Sequence, residues 1–184
     1  MRPMKSFRLL AISLVVAAAL VAAWPGNWAT ARAGESTAAT PAPEFTGIDR
    51  WFNSPPLTIA GLHGKVTLVE FWTNECINCI HVLPHTKALY EKYKDKGLVV
   101  VGVHTPEYDE ERDPATVQAA IRQFGITWPV AQDNELATWN AWGNQYWPAL
   151  YLVDQNGKVV YRHFGEGNYE QTEERVRQLL QEKA

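Results

Sequence analysis

Two cysteines three positions apart are the residues of this chain whose type and spacing could do chemistry. Cys76 and Cys79 lie in the segment FWTNECINCI, and the sequence holds no other cysteine. A pair with this spacing can form a structural disulfide, contribute to a metal site, attach a haem or work as a redox couple. A disulfide that closes such a short loop removes only about 2 kcal/mol of unfolded-chain entropy, so a structural crosslink explains the pair poorly.

The residues near the two cysteines distinguish between a haem attachment, a metal site and a redox couple. Attachment of a c-type haem requires a histidine directly after the second cysteine, and Ile80 occupies that position. A structural zinc site needs four ligands, usually from two separated pairs, and the chain has no second CxxC. His81 and His85 lie nearby in the sequence but would have to fold back. A redox couple is therefore the leading interpretation.

The pattern around the cysteines predicts a strand followed by a helix. Val66–Trp72 and Leu98–His104 are nearly continuous apolar runs, as expected for parallel strands that are buried on both faces. Residues 76–94 can form the crossover helix between them. Cys76 then lies in the first helical turn, where unpaired N–H groups and the helix dipole favour a thiolate. Cys79 lies one turn further on, where it is shielded.

The rest of the chain continues the alternation of strands and helices. The patterns predict a helix that begins at Asp113 and Pro114, a short strand at 128–131, a helix at 134–142, a hairpin of strands Ala149–Val153 and Lys158–Phe164 at the sheet's edge, and a final helix from about Tyr169. This order of elements predicts an α/β sandwich with a mixed central sheet.

The N-terminal segment has the features of an export signal. Basic residues among the first eight precede an apolar run at residues 9–23, which is short for a membrane span. Ala31 and Ala33 are small residues at the positions that a signal peptidase requires. We expect a signal peptide at residues 1–33, with an uncleaved membrane anchor as the alternative. Either segment places the domain outside the cytoplasm, in the periplasm or an equivalent compartment.

The remaining sequence divides into a linker and one domain. Residues 34–46 are small, polar and proline-bearing, which predicts a flexible tether. Residues 47–184 then form the domain, and their apolar content can build a sizeable core. The formal net charge of the whole chain is −3, so the composition gives no electrostatic reason to expect nucleic acid as a partner.

Several segments resemble one family. VEFWTNECINC resembles the active-site segment of thioredoxin-fold proteins, and the longer pattern is similar to the exported TlpA-like branch, in particular the thioredoxin domain of DipZ-type proteins. The segments that carry the wider resemblance are VGVHTPE at 101–107, ATWNAWGNQYWP at 137–148 and HFGEGNYEQTE at 163–173. The resemblance implies a thioredoxin-like α/β/α sandwich with a central mixed sheet and an inserted αβ segment.

The resemblance also implies roles for individual residues. Cys76 matches the attacking cysteine of the family and Cys79 matches its resolving cysteine. Pro84 matches the proline that kinks the active-site helix. Pro148 matches the family's cis-proline, which packs against the cysteines and presents the preceding backbone to a partner.

Glu70 is a carboxylate within the apolar run VTLVEFW. Burial of the ionised form would be costly, so its pKa should rise toward neutral pH. The family has a buried acid at the matching position, and a carboxylate tuned in this way could act as a general base for Cys79. The alternative is a glutamate that points to solvent.

Other residues near the cysteines could tune the redox couple. Glu75 precedes Cys76, and its negative charge opposes formation of the Cys76 thiolate. Ile77 and Asn78 occupy the two positions between the cysteines, which influence the reduction potential. Each of the five histidines is interpreted as an ordinary core or surface residue.

Aromatic residues cluster just before Pro148. Tyr146 and Trp147 fit a groove for a partner polypeptide and core packing equally well. Trp139 and Trp142 have helical spacing, which favours the core.

The resemblance implies an exported thiol:disulfide oxidoreductase that reduces disulfides of other exported proteins, with apocytochromes c as candidate substrates. No cofactor is expected beyond the disulfide of Cys76 and Cys79. The chain has no G-x-G-x-x-G nucleotide signature, so a membrane thiol transporter is the expected electron donor. One alternative is a copper chaperone that uses both cysteines and His104. The other is a peroxiredoxin-like antioxidant protein, although Val69 replaces the proline of that motif and only Thr73 and Cys76 are retained.

Overall fold

A computed structural model of the chain describes residues 39–182. The predicted signal peptide or anchor at residues 1–33 lies outside the described residues. Within the part that is described, no helix is both long and apolar enough to cross a membrane.

The described residues form seven strands and four α-helices. The strands are β1 (Thr40–Pro41), β2 (Arg50–Phe52), β3 (Val66–Trp72), β4 (Leu98–His104), β5 (Val130–Gln132), β6 (Ala149–Val153) and β7 (Lys158–Phe164). The helices are α1 (Ile77–Tyr93), α2 (Pro114–Gln123), α3 (Ala137–Ala141) and α4 (Tyr169–Gln181). Short 3-10 turns occur at Ala60–Leu62, Lys94–Lys96 and Asp109–Arg112.

All strands belong to one mixed sheet with the order β1-β7-β6-β3-β4-β5-β2. Strand β3 is central and fully buried. It pairs in parallel with β4 and antiparallel with β6, so the predicted parallel pair is confirmed. The predicted hairpin of β6 and β7 forms, but β6 lies inside the sheet and β7 is covered by β1.

Alternate residues of β3 point to two separate cores, one on each side of the sheet. Leu68 and Trp72 face a core that includes side chains of α1, α2 and α4. Val69 and Phe71 face a second core that includes the α3 tryptophans. The two layers confirm the predicted α/β/α sandwich. Glu70 lies two positions after Leu68 in β3, so its side chain is on the same face of the sheet, the face that α1 covers.

The segment predicted to be a flexible tether packs against the second core from residue 40 onward. β1 pairs antiparallel with β7. The Glu44 carboxylate accepts the backbone N–H of Ile59 at 2.7 Å and of Ala60 at 3.0 Å. The Phe45 ring stacks on Trp142 with centroids 6.1 Å apart. The sequence assigns residues 40–46 to a linker because they are small and polar, whereas the structure holds them through strand pairing and these side-chain contacts.

Helix α3 begins three residues later than predicted. Leu136 adopts a left-handed conformation with φ 56°, which interrupts the helical backbone. The Asp133 carboxylate accepts the N–H groups of Thr138 at 3.1 Å and Trp139 at 2.8 Å. These bonds satisfy free donors of the first turn and stabilise the helix at this start.

A substitution at Gly47 can test whether the N-terminal segment packs against α3. Its φ is +63°, and a Cβ added there would overlap the Cβ of Ala137. Gly143 has a similar φ of +60° with nothing within 4 Å of an added Cβ. We expect Gly143→Ala to cost about 1 kcal/mol from left-handed backbone strain, and Gly47→Ala to cost roughly 1–3 kcal/mol more through overpacking. Denaturant unfolding of both variants measures the difference; equal losses would show that this contact does not form.

Candidate active site

Cys76 and Cys79 lie at the start of α1 and form a disulfide. Cys76 is the N-cap residue, with extended backbone, and its Sγ accepts the N–H of Cys79 at 3.1 Å. This bond satisfies one of the free donors of the first turn. Cys76 is half-buried, whereas Cys79 is only 5% exposed. The structure therefore shows the difference in exposure that the sequence predicts for the two sulfurs.

Helix α1 connects the disulfide to the interior of the protein. The helix continues through Pro84 without interruption. Its buried residues recur every three or four positions, so they form one face against the sheet: Cys79, Val82, Thr86, Leu89 and Tyr93. The second sulfur and the Thr86 hydroxyl therefore lie on the same side of the helix.

Glu70 is buried in the centre of β3 and is 4% exposed. Its Oε1 accepts the Thr86 hydroxyl at 3.0 Å. Burial raises the pKa of Glu70 to about 7, and the Thr86 hydrogen bond offsets part of that rise. The alternative in which Glu70 points to solvent is therefore wrong. Glu70 and Cys79 together line a small cavity of about 10 Å³, which is room for about one water molecule.

The predicted partner-binding residues differ in exposure. The Trp147–Pro148 peptide bond is cis, as the resemblance implies, and Pro148 is buried. The Trp147 indole N–H donates to the Thr105 carbonyl at 3.0 Å. The centroids of the Trp147 and Trp139 rings are 4.1 Å apart. Tyr146 is 52% exposed. Trp139 and Trp142 lie in the core, as predicted.

The three residues expected to tune the redox couple lie at the surface. Ile77 and Asn78 are exposed between the cysteines. Glu75 is also exposed, and its carboxylate accepts the Asn74 amide at 3.1 Å. Because the Glu75 charge is solvated, solvent screening weakens its effect on Cys76.

The structure shows a second buried carboxylate near Cys76 that the sequence did not reveal. Glu111 is fully buried and accepts the Thr73 hydroxyl and three backbone N–H groups. These N–H groups belong to Glu75, Glu107 and Tyr108, at 3.0, 2.7 and 3.0 Å. Burial raises the pKa of Glu111, but the four hydrogen bonds outweigh it and the net pKa is lowered. An ionised Glu111 therefore holds the loop that leads into Cys76.

His104 is the buried neighbour of this anchor. Its Nε2 lies 3.0 Å from Asn74 Oδ1, and its ring contacts Trp72 edge to face. Burial lowers the pKa of His104 to about 4, although the Glu111 charge pulls it upward. His104 is thus a neutral core residue at physiological pH. Among residues 39–182, no group of three or more His, Cys, Asp or Glu side chains is arranged to hold a metal ion.

These observations define the class of the protein. A CxxC disulfide at the start of the helix that follows a central strand, with a cis-proline before the next strand, is the arrangement of a thioredoxin-fold thiol:disulfide oxidoreductase. This class uses its two cysteines as the redox group.

Comparison with known proteins identifies the family. The Redoxin family profile matches residues 37–180. DipZ of Mycobacterium bovis is 49% identical over 142 residues, which are 76% of this chain and 20% of DipZ. The thiol-disulfide oxidoreductase YkuV of Bacillus subtilis is 32% identical over 142 residues, which are 77% of this chain and 95% of YkuV.

Solved structures agree with the sequence relatives. A thioredoxin-like protein solved in its oxidized form in solution has a TM-score of 0.71 and 33% identity, over 79% of this chain and 98% of its own. The chain belongs to the Redoxin family and is similar to thiol:disulfide oxidoreductases with a thioredoxin-like fold. It spans about a fifth of the length of the DipZ proteins that it matches.

The hydrogen bond between Thr86 and Glu70 can be tested directly. Thr86→Val keeps the side-chain shape but removes a donor to the carboxylate, so we expect the pKa of Glu70 to rise above its wild-type value. Thr67→Val is the control, because Thr67 is a buried threonine on the opposite face of β3. Carbon-13 NMR titration of the Glu70 carboxyl group measures the shift. A pKa that stays constant or falls in Thr86→Val would contradict the assignment.

The anchoring role of Glu111 predicts a pH-dependent loss of stability. Its folded-state pKa is lowered, so its stabilisation is fully present above the unfolded-state pKa and is lost as the pH falls through the folded-state pKa. Glu111→Gln should therefore cost about 1–3 kcal/mol at neutral pH, and the difference from wild type should shrink on acidification. Unfolding experiments across pH check this, with the exposed neighbour Glu110→Gln as the control. A difference that grows on acidification would disprove it.

Proposed function

We propose that this domain reduces disulfides of other exported proteins, with Cys76 as the attacking and Cys79 as the resolving cysteine. The observation that carries the proposal is the asymmetry of the pair. Cys76 caps the helix and is half-exposed, whereas Cys79 is buried one turn further on beside Glu70. A partner disulfide can reach Cys76, and Cys79 is placed to act only afterwards.

The reaction proceeds by two exchanges. The Cys76 thiolate of the reduced protein, favoured by the helix N-terminus, attacks one sulfur of the partner disulfide and releases the other as a thiolate. Cys79 then transfers its proton to the Glu70 carboxylate, and its thiolate attacks Cys76. The bond between Cys76 and the partner breaks, the partner leaves with the electron pair, and the disulfide of Cys76 and Cys79 forms.

A partner polypeptide would bind beside Pro148. Exposed Ile77 follows Cys76 directly, and exposed Tyr146 and half-buried Trp147 offer further apolar surface just before Pro148. The hydrogen bond of Trp147 to the Thr105 carbonyl fixes this aromatic side chain in advance, which reduces the ordering cost of binding. Glu75, Ile77 and Asn78 would then influence both partner choice and potential.

The cellular setting of the proposal comes from the sequence. The basic start and the apolar run at residues 9–23 support export, either as a secreted domain or on a membrane tether. Outside the cytoplasm, electrons have to arrive through the membrane, so a membrane thiol transporter is the proposed donor. Apocytochromes c are the proposed substrates. The redox-active disulfide is the only redox group that this mechanism requires.

Single-cysteine variants test the assignment of roles. Cys79→Ser should leave partners covalently bound to Cys76, because a serine hydroxyl cannot perform thiol-disulfide exchange, and Cys76→Ser should trap little. The variants are expressed as the full chain, free thiols are blocked with acid and alkylation, and trapped species are compared on non-reducing gels.

The identity of the trapped proteins tests the rest of the proposal. Exported proteins among them would support the proposed setting, and apocytochromes c would support the proposed substrates. Equal trapping by both variants, or trapping through Cys79 alone, would contradict the assigned roles. Partners drawn only from the cytoplasm would contradict export.

A further inference from the structure

The Glu111 carboxylate binds two loops, and one of them leads directly into Cys76. Its Oε1 accepts the Thr73 hydroxyl and the Glu75 N–H, the latter at 3.0 Å. Its Oε2 accepts two N–H groups of the loop after β4, at 2.7 and 3.0 Å. Each oxygen thus receives two donors, and this environment keeps a carboxylate ionised. The lowered pKa of Glu111 agrees with the geometry.

The attacking sulfur lies within reach of this charge. The covalent path from the Glu75 nitrogen to Cys76 Sγ spans at most about 8 Å. Since Glu111 Oε1 lies 3.0 Å from the same nitrogen, the carboxylate oxygen and the sulfur are at most about 11 Å apart. Thr73, whose hydroxyl bonds to the carboxylate, and Glu111 itself are completely buried. Water therefore screens this charge less than it screens a charge at the surface.

No cation neutralises Glu111. In the part of the chain that the structure describes, no ion pair includes this residue. The guanidinium group of the adjacent Arg112 donates to the Asn134 carbonyl and pairs with exposed Asp109. His104 is neutral, because burial lowers its pKa to about 4. The donors to the carboxylate are uncharged groups, so the site keeps its net negative charge.

The other titratable groups of the two loops differ from Glu111 in their exposure. They all lie at the surface: Glu75, Glu107, Tyr108, Asp109 and Glu110. Solvent screens the charges of such groups, so each acts on the sulfur more weakly than a buried charge at a similar distance. Glu70 is the remaining buried carboxyl group near the cysteines, and it lines the small cavity with Cys79.

Reduction of the disulfide creates a negative charge near Glu111. The disulfide of Cys76 and Cys79 is uncharged. When it takes up two electrons and one proton, the bond between the sulfurs breaks, Cys79 becomes a thiol and Cys76 becomes a thiolate. The Glu111 charge opposes this thiolate and therefore opposes reduction of the disulfide, whereas the N-terminus of α1 favours both.

We propose that the buried negative charge of Glu111 makes the redox couple reducing. The charge destabilises the Cys76 thiolate, so the disulfide forms more readily and the reduced protein gives its two electrons to a partner disulfide more readily. Glu111 is a positioning residue, because it touches no reacting atom and acts through its charge and the loop that it holds. The inference rests on the proposed function, in which Cys76 is the attacking thiolate.

Glu111→Gln removes the charge and tests the proposal. For a separation of about 10 Å and an effective dielectric constant of about 20–40, Coulomb's law predicts that Cys76 ionises about 4- to 15-fold more readily in the variant. At a pH where Cys76 is a thiolate, the same factor raises the reduction potential by about 18–35 mV, since a tenfold change corresponds to about 30 mV.

Two further variants separate the effect of the charge from that of the contact. Glu110→Gln removes a charge from the exposed neighbour and should change the equilibrium constant less than about twofold, or about 9 mV. Thr73→Val removes one donor to Glu111 but keeps the carboxylate charge, so the potential should stay constant or fall. Circular dichroism and thermal unfolding establish which variants are folded.

The measurement uses the full chain in glutathione buffers of known potential, with the reduced fraction determined after acid quench and alkylation. The rate of alkylation by iodoacetamide as a function of pH gives the midpoint of Cys76 ionisation, which should lie about 0.6–1.2 pH lower in Glu111→Gln than in wild type. Below both midpoints Cys76 is a thiol in both proteins, so the difference in potential should disappear there.

Several outcomes would overturn the proposal. They are equal potentials in wild type and Glu111→Gln, a lower potential in the variant, an equal increase in Glu110→Gln, and a difference that persists below both midpoints. A raised potential in Thr73→Val would assign the effect to a loosened loop, and this result counts even if Glu111→Gln does not fold.

The site of alkylation separates this inference from the proposed function. Mass spectrometry of the alkylated chain identifies the cysteine that reacts first. If Cys79 reacts first, the proposed roles of the two cysteines are wrong. If Cys76 reacts first and Glu111→Gln leaves the potential unchanged, the roles stand and this inference alone is wrong.

Discussion

Burial of the Glu70 carboxyl group in the central strand is the constraint on which the active site depends. An ionised carboxylate in that position loses its hydration, and one hydrogen bond from Thr86 replaces only part of it. The pKa consequently lies near 7, so the group can both accept and release a proton under physiological conditions. The position of α1 follows from the same arrangement, because one face of this helix has to bring Thr86 to the carboxyl group and Cys79 close to it.

The two buried glutamates show how hydrogen bonding decides the role of a carboxyl group. Both are almost completely removed from solvent. Glu70 accepts one hydrogen bond, from the Thr86 hydroxyl, and its pKa is raised. Glu111 accepts four hydrogen bonds, one from a hydroxyl and three from backbone N–H groups, and its pKa is lowered. A carboxylate with four donors stays ionised and fixes the loop before Cys76, whereas a carboxyl group with few donors remains available for proton transfer.

The sequence predicts the sheet and the position of the cysteines better than it predicts the long-range contacts that hold the neighbouring segments in place. The bounds of β3 and β4 follow from two nearly continuous apolar runs, because these strands are buried on both faces. The sequence gives no sign that Glu111 is buried, because it lies in the acidic run DEER, whose composition is typical of a solvated turn. The composition of residues 34–46 predicts a tether for a similar reason, since the strand pairing that the structure shows from residue 40 onward joins distant segments and leaves no local pattern. Long-range hydrogen bonds to backbone groups are therefore the part of this site that composition and spacing do not reveal.

The pH dependence of the second exchange tests the central claim most directly. The rate at which Cys79 releases a partner from Cys76 can be measured by acid quench in wild type and in Glu70→Gln. The pH should range from about 5 to about 9, so that it extends to both sides of neutrality. If Glu70 is the base, the wild-type rate rises through a midpoint near pH 7, and Glu70→Gln lacks this midpoint and is slower. Profiles with the same midpoint and the same rates in both proteins would contradict the claim.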